Sequence, residues 1–170
     1  MQGYCPKIHF RCRMSSFREV SNELVEKFGE QFVRSLRDVQ INQFLQLPRF
    51  PQNVPIVYML LSTWDNISES FIINNRSLAF TSDEIALITG LPDRGIKFEP
   101  GTTTILGKTA NDIRHDILKL ESSTPTEIVR EHFIVYLLSN IFFPLANFRV
   151  HSSILDVAKN VDNFRNINWP

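Results

Sequence analysis

Apolar side chains recur along most of the chain at spacings of three and four, which predicts a succession of helices. Phe17, Val20, Leu24 and Phe28 share one stripe, so a helix is expected from Ser16 to Phe28. Ser16 would cap it, with Glu19 three residues on as in a capping box, and Gly29 would stop it. A second short helix is expected at about Glu30 to Val39, with Phe32, Val33 and Leu36 on one side. Ile41, Phe44, Leu45 and Leu47 add an apolar turn before Pro48 and Pro51 break the pattern. Pro55 suits a first helical turn and opens a largely apolar helix through Ile56, Val57, Met59, Leu60, Leu61 and Trp64.

One stretch departs from the helical period. Phe71-Ile72-Ile73 and the run ending in Leu78-Ala79-Phe80 flank Asn74-Asn75, and Asn tolerates the left-handed conformation that a two-residue hairpin turn requires. A small β-hairpin is expected there. Thr81-Ser82-Asp83-Glu84 then reads as a second capping box, with acids in the first turn where they complement the helix dipole. Ile85, Ile88 and Leu87 would face the core, and Gly90 would end this short helix ahead of Leu91 and Pro92.

From Asp93 to Gly107 the chain is rich in Gly, Pro and Thr and is expected to be an irregular, mobile connection. A modest helix follows at Asn111 to Leu120. Thr124-Pro125-Thr126-Glu127 reads as a third capping box and opens the longest helix, which reaches about Phe143 before Pro144. Its second half, from Phe133 to Phe143, is apolar on nearly all sides and belongs at the centre of a bundle. The tail from Ser152 to Trp169 is expected to form short helices with Ile154, Leu155, Val157, Val161 and Phe164 inward. The fold class is therefore mainly α: a compact multi-helix domain with one small β-hairpin, over residues 15–170, preceded by a flexible basic leader at 1–14.

Composition supports this picture. The 170 residues are 43% hydrophobic, with 18 basic residues balanced by 18 acidic ones, as in an ordinary single globular domain. A chain of this length buries about 70% of the surface of its unfolded form and needs neither disulfides nor a metal to fold. No apolar run reaches membrane-spanning length, and Met1 to Lys7 lacks the apolar stretch of a secretory signal, so the cell interior is the expected location. Residues 1–50 hold eight Lys or Arg against five Asp or Glu, a mild excess that changes little in a chain of zero net charge.

Each fragment with chemical promise has a plainer reading. Gly101 to Thr109 resembles a phosphate-binding loop, but five residues separate its glycines where four are needed, and Pro100 stands where a buried strand should lead in. Cys5, His9 and Cys12 are three zinc-type ligands without a fourth at conventional spacing, since His115, His132 and His151 are scattered. Neither a Gly-x-Ser-x-Gly elbow nor a Cys/His nucleophile signature occurs. Asp83-Glu84 is explained as a helix start, His132 as a helix-face residue, and Trp64 and Trp169 as core or interface anchors. No catalytic residue, metal or cofactor is expected.

Three landmarks together resemble a plant family, the transposon-associated plant mobile domain often labelled "aminotransferase-like". They are the hairpin-to-helix unit from Phe71 to Ile85, the turn Ile88-Thr89-Gly90-Leu91-Pro92-Asp93-Arg94-Gly95, and the closing Asp162-Asn163-Phe164-Arg165-Asn166-Ile167-Asn168-Trp169. A related domain, found ahead of ubiquitin-like-protein-specific proteases in plant transposons, shares the arrangement. The likeness runs from about Phe17 to Trp169. Because the family's chain continues past its Asn-Trp landmark, the resemblance implies a truncated copy or gene fragment ending at Pro170.

The fold signature that the resemblance implies is Gly90, Leu91, Pro92, Gly95 and Trp169. The first three have a physical reading of their own: glycine supplies the left-handed position after the helix, Leu91 packs back on its last turn, and proline forbids continuation. Pyridoxal phosphate chemistry would need a Schiff-base lysine and an acidic partner on a much larger scaffold, so the family label carries no activity here. The resemblance implies a non-catalytic interaction domain in a plant nucleus, linked to transposon biology or gene silencing and acting through protein partners. Neither a membrane nor a small-molecule substrate is expected. Asn74, Asn75, Asp93, Arg94 and Lys97 are the candidate contacts, being on loops. The alternative is a nucleic-acid-binding accessory module using Lys7, Arg11, Arg13, Arg34 and Arg37.

Overall fold

The computed structural model describes residues 13–48, 53–79, 81–99, 104–145, 147–160, 164 and 166–169. Two apolar stripes meeting at Gly29 make the first long element, α1 (Met14–Arg37), whose helical path is broken only by that glycine at φ 62° and ψ −151°. The 16–28 and 30–39 helices of the sequence are thus the two arms of one kinked helix. Its start lies earlier than the expected Ser16 cap. The Phe17 amide donates to the Arg13 carbonyl at 3.0 Å, which adds a turn upstream and leaves Ser16 inside the helix. A 3₁₀ turn, Asn42–Gln46, returns Phe44 to the core.

The chain then leaves the bundle. Helix α2 (Val54–Ser62) is capped by the Asn53 side chain, which accepts from the Ile56 amide at 3.1 Å. An antiparallel meander follows: β1 (Trp64–Asp65), β2 (Ser70–Ile73) and β3 (Arg76–Leu78). Asn74 and Asn75, at φ 50° and 59°, make the two-residue turn between β2 and β3, and two successive left-handed residues are what its twist requires. Helix α3 (Ser82–Thr89) begins at a full Thr81/Glu84 capping box and ends at Gly90, φ 71°.

Beyond Gly90 the chain re-enters the bundle through Leu91, which joins the main core. The expected irregular connection from Asp93 to Gly107 holds two strands instead: β4 (Ile96–Lys97) and β5 (Thr104–Thr109). Both are fixed by distant partners. β4 pairs in parallel with β7 (Ile167–Asn168), and β5 pairs antiparallel with β6 (Arg149–His151) through an irregular register. Residues 100–103 lie outside the described residues.

Helix α4 (Ala110–Leu118) starts at a reciprocal Thr109/Asp112 capping box that the sequence reading passed over. Thr109 lowers the Asp112 carboxyl below the ordinary carboxylate range through its side-chain and backbone hydrogen bonds. Helix α5 (Thr126–Leu137) has Pro125 at its N-cap with no side-chain cap bond. The expected Thr124 box is absent because Pro125 itself takes the cap position and accepts from Ile128 and Val129. A π-helical turn, Leu138–Phe142, carries the helix to Phe143, and α6 (Ser152–Lys159) completes six α-helices among the described residues. The domain is mainly α with small, short sheets.

Helix α5 is the axis of this arrangement, because every side chain from Phe133 to Asn140 is buried. Phe133 lies 5.6 Å from both Phe17 and Phe32 of α1, and Phe17 stacks on Tyr136 at 5.8 Å. Tyr136 is 2% exposed, and loss of solvent pushes its phenol up to about 12. The folded state therefore keeps a proton that the unfolded chain releases near pH 10, the ordinary tyrosine value.

A second set of contacts closes the fold. The Ile96 amide donates to the Asn166 carbonyl at 2.8 Å, and the Trp169 amide donates to the Pro92 carbonyl at 3.2 Å. A Cβ on Gly95 would overlap the Asn166 carbonyl, and its φ of 129° is itself a glycine conformation. Trp169 packs 4.5 Å from Phe164 and 5.5 Å from Phe98, while its indole N–H donates to the Phe164 carbonyl at 3.1 Å.

Two measurements follow from this geometry. Gly95→Ala should cost about 3 kcal/mol or more in urea unfolding, whereas Gly107→Ala, which meets nothing within 4 Å, should cost only about 1–2 kcal/mol for its left-handed φ. Stability should also fall as pH rises from about 10 to about 12, and Tyr136→Phe should flatten that fall. An unchanged slope in the variant would remove Tyr136 as its source.

Candidate interaction surface

Helices α2 and α3 bury none of their residues. On α2, Val54, Ile56, Tyr58, Met59 and Leu61 are all exposed. No charged side chain occurs from Asn53 to Trp64. On α3, Leu87 is 86% and Ile88 72% exposed, which overturns the expectation that they face the core. The period of the helix is as expected, but the main cluster draws nothing from this arm and resumes only at Leu91. Ile67 in the β1–β2 turn is 94% exposed, and Ile72 and Leu78 of the hairpin are also exposed.

The arm has some order of its own. Trp64 packs edge-on to Phe71 at 4.9 Å, and the Ile72 amide donates to the Thr63 carbonyl. Ser68, Ser70 and Ser77 form a hydroxyl chain anchored on Asp65, whose carboxyl Ser68 holds below its ordinary value. One tie to the bundle is polar: Gln43 Nε2 donates to the Thr89 carbonyl at 3.0 Å and to the Gln40 carbonyl at 2.8 Å. A Cβ on Gly90 would crowd that same amide.

The five candidate contact residues fall in two places. Asn74 and Asn75 form the exposed hairpin tip, whereas Asp93, Arg94 and Lys97 sit in the segment pinned to β7. No hydrogen bond or ion pair joins the two sets among the described residues. Lys97 pairs with Glu99 at 2.9 Å, both well exposed, and this lysine draws the Glu99 carboxyl down. The five signature residues are otherwise placed. Gly90, Leu91 and Pro92 turn the chain into the core, and Gly95 and Trp169 meet across the β4–β7 pair.

The basic residues of the alternative reading are dispersed. Lys7 and Arg11 lie outside the described residues, as do Cys5, His9 and Cys12. Arg13 lies over the Phe148 ring, 4.2 Å from its centroid. Arg34 and Arg37 both point to Glu30, at 3.6 and 3.5 Å, which offsets part of their charge. Lys108 of the phosphate-loop look-alike belongs to β5 and pairs with Asp116 of α4 at 2.6 Å. No group of three or more His, Cys, Asp or Glu suited to a metal occurs among the described residues. Nor is any described helix long and apolar enough to cross a membrane.

The family described as Domain of unknown function (DUF8566) matches residues 10–170. The chain belongs to that family. The DUF8566 match takes in α1, the exposed arm, the signature turn and the closing Trp169 together. No curated protein and no solved structure matches the chain.

What the sequence reading missed in the DUF8566 domain is the exposed arm. The available signal was the absence of any polar face on α2, because a helix that is apolar all round needs cover on all sides. Exposure sets a clear expectation. Leu87→Gln and Ile88→Gln should each shift stability by no more than about 0.5 kcal/mol, while Phe133→Ala should cost about 3–5 kcal/mol, read by chemical denaturation.

Proposed function

We propose that this DUF8566 domain is a non-catalytic protein-interaction module of transposon origin, working in the plant nucleus in transposon biology or gene silencing. The interaction reading rests on one observation: α2, the β1–β3 meander and α3 place eleven large apolar side chains at the surface on a single stretch of chain, Val54 to Ile88. Monomeric soluble proteins seldom expose that much apolar surface without a partner to cover it. Aromatic and Met side chains, here Tyr58, Met59 and Trp64, are the types enriched at the cores of such contacts.

The non-catalytic part rests on how ionised groups are used. Glu84 and Asp112 close capping boxes, while Glu30, Glu99, Asp116 and Glu19 pair with Arg or Lys on the surface. The plant and transposon terms rest on the motif resemblance alone. Two of its landmarks, residues 88–95 and 162–169, touch beside the β4–β7 pair, where the Trp169 amide donates to the Pro92 carbonyl and Gly95 lies against the Asn166 carbonyl.

Affinity capture from plant nuclei tests it. A saturable protein partner should be retained by the wild-type domain and reduced ten-fold or more by Leu61→Asp and by Leu87→Asp, with circular dichroism and Tm unchanged. Equal retention by both variants would remove the arm from the account.

A further inference from the structure

On the far side of α5 from the α1 aromatic cluster, α4, α5 and α6 enclose a half-open cleft of about 210 Å³. Its floor is apolar, made by Ile113, Val135, Leu155 and Ala158. An apolar cavity of about 150 Å³ holds benzene. The cleft therefore accommodates one ring or branched aliphatic group with about two further heavy-atom groups beyond it.

The charges around this floor fall into two kinds. Lys108 and Asp116 satisfy each other at 2.6 Å. Glu131 and Lys159 also line the cleft, carry opposite signs, and have no ion-pair partner among the described residues. His132 donates its Nδ1–H to the Ile128 carbonyl at 2.8 Å. An apolar floor with one unspent cation and one unspent anion around it is complementary to a zwitterion with an apolar side chain.

We propose that the α4–α5–α6 cleft binds a free α-amino acid with a large apolar side chain, its carboxylate meeting Lys159, its ammonium meeting Glu131 and its side chain lying on Ile113, Val135, Leu155 and Ala158. No bond is made or broken in this binding. The site is separate from the exposed arm and does not depend on the interaction reading.

The test is an amide chemical-shift titration of the full chain with L-phenylalanine, phenylacetate, phenethylamine and glycine. The cleft should bind a ligand of the size of L-phenylalanine with a Kd of roughly 0.05–5 mM, with shifts centred on Ile113, Val135, Leu155 and Ala158. Phenylacetate and phenethylamine, each lacking one charge, should bind about three- to ten-fold more weakly, and glycine should not saturate. Lys159→Ala should weaken L-phenylalanine and phenylacetate but leave phenethylamine unchanged; Glu131→Gln should weaken L-phenylalanine and phenethylamine but leave phenylacetate unchanged. Both positions are at least part-exposed, so the fold tolerates the changes. No saturable shift by 10 mM, shifts centred elsewhere, or equal binding of all three aromatic ligands would overturn the proposal.

Discussion

The desolvation of α5 is the constraint on which the rest of the architecture depends. Eight consecutive buried positions, Phe133 to Asn140, cannot be covered by one neighbour, so α1, α4 and α6 each take a side of the same helix. α1 contributes Phe17 and Phe32, which lie against Phe133. α4 contributes Ile113 and Ile117, and α6 contributes Ile154, Val157 and Ala158. Two polar residues inside this sleeve donate to backbone carbonyls. Ser139 donates to the Tyr136 carbonyl, and Asn140 reaches the Arg13 carbonyl at 3.5 Å. The π-helical turn at Leu138–Phe142 occurs where these two residues sit, and such turns often mark a local adjustment of an otherwise regular helix.

The molecule thus has two regimes. The bundle is closed, aromatic-rich and tied across long sequence distances by Arg114–Glu19 as well as by packing. Among the described residues, the arm from Asn53 to Thr89 is held by short-range hydrogen bonds, the Trp64–Phe71 contact and the Gln43 bridge. A segment with few buried apolar contacts sits at the low end of local stability. An interaction surface placed on it can adjust to a partner without disturbing the core, which is the physical sense in which the two regimes divide the labour.

Much of the fold was legible because local rules and global packing agree in the bundle. The 3.6-residue stripe of Phe17, Val20 and Leu24 and the apolar run beginning at Phe133 locate real core faces, and Asn74-Asn75 announces its turn by conformational preference alone. What failed, failed for identifiable reasons. The Ser16 and Thr124 caps read as plausible pairs, but a cap depends on where the first helical turn begins, and Arg13 and Pro125 decide that. Ile88 and Leu87 share a face, yet periodicity reports only which residues lie together, never whether anything covers them. The strands β4 and β7 carry almost no local signal, since two-residue partners 71 positions apart are selected by backbone hydrogen bonds and not by side-chain alternation. The cleft of α4, α5 and α6 was invisible for the same reason: Lys108, Glu131 and Lys159 come from separate elements and form no motif.

The parallel pairing of Ile96 with Ile167 also bears on how the chain emerges during synthesis. At roughly 5–20 residues per second, the partner of Ile96 appears on the order of 4–14 s after it. Through that interval α1 and the nascent α5 can already condense, while Gly95, Ile96 and Phe98 offer an unpaired backbone edge beside an uncovered aromatic ring. A strand edge in that condition is a template for stray pairing. Pairing with Ile167 and Asn168 then acts as a latch, covering that edge only after the helices that precede it have been made.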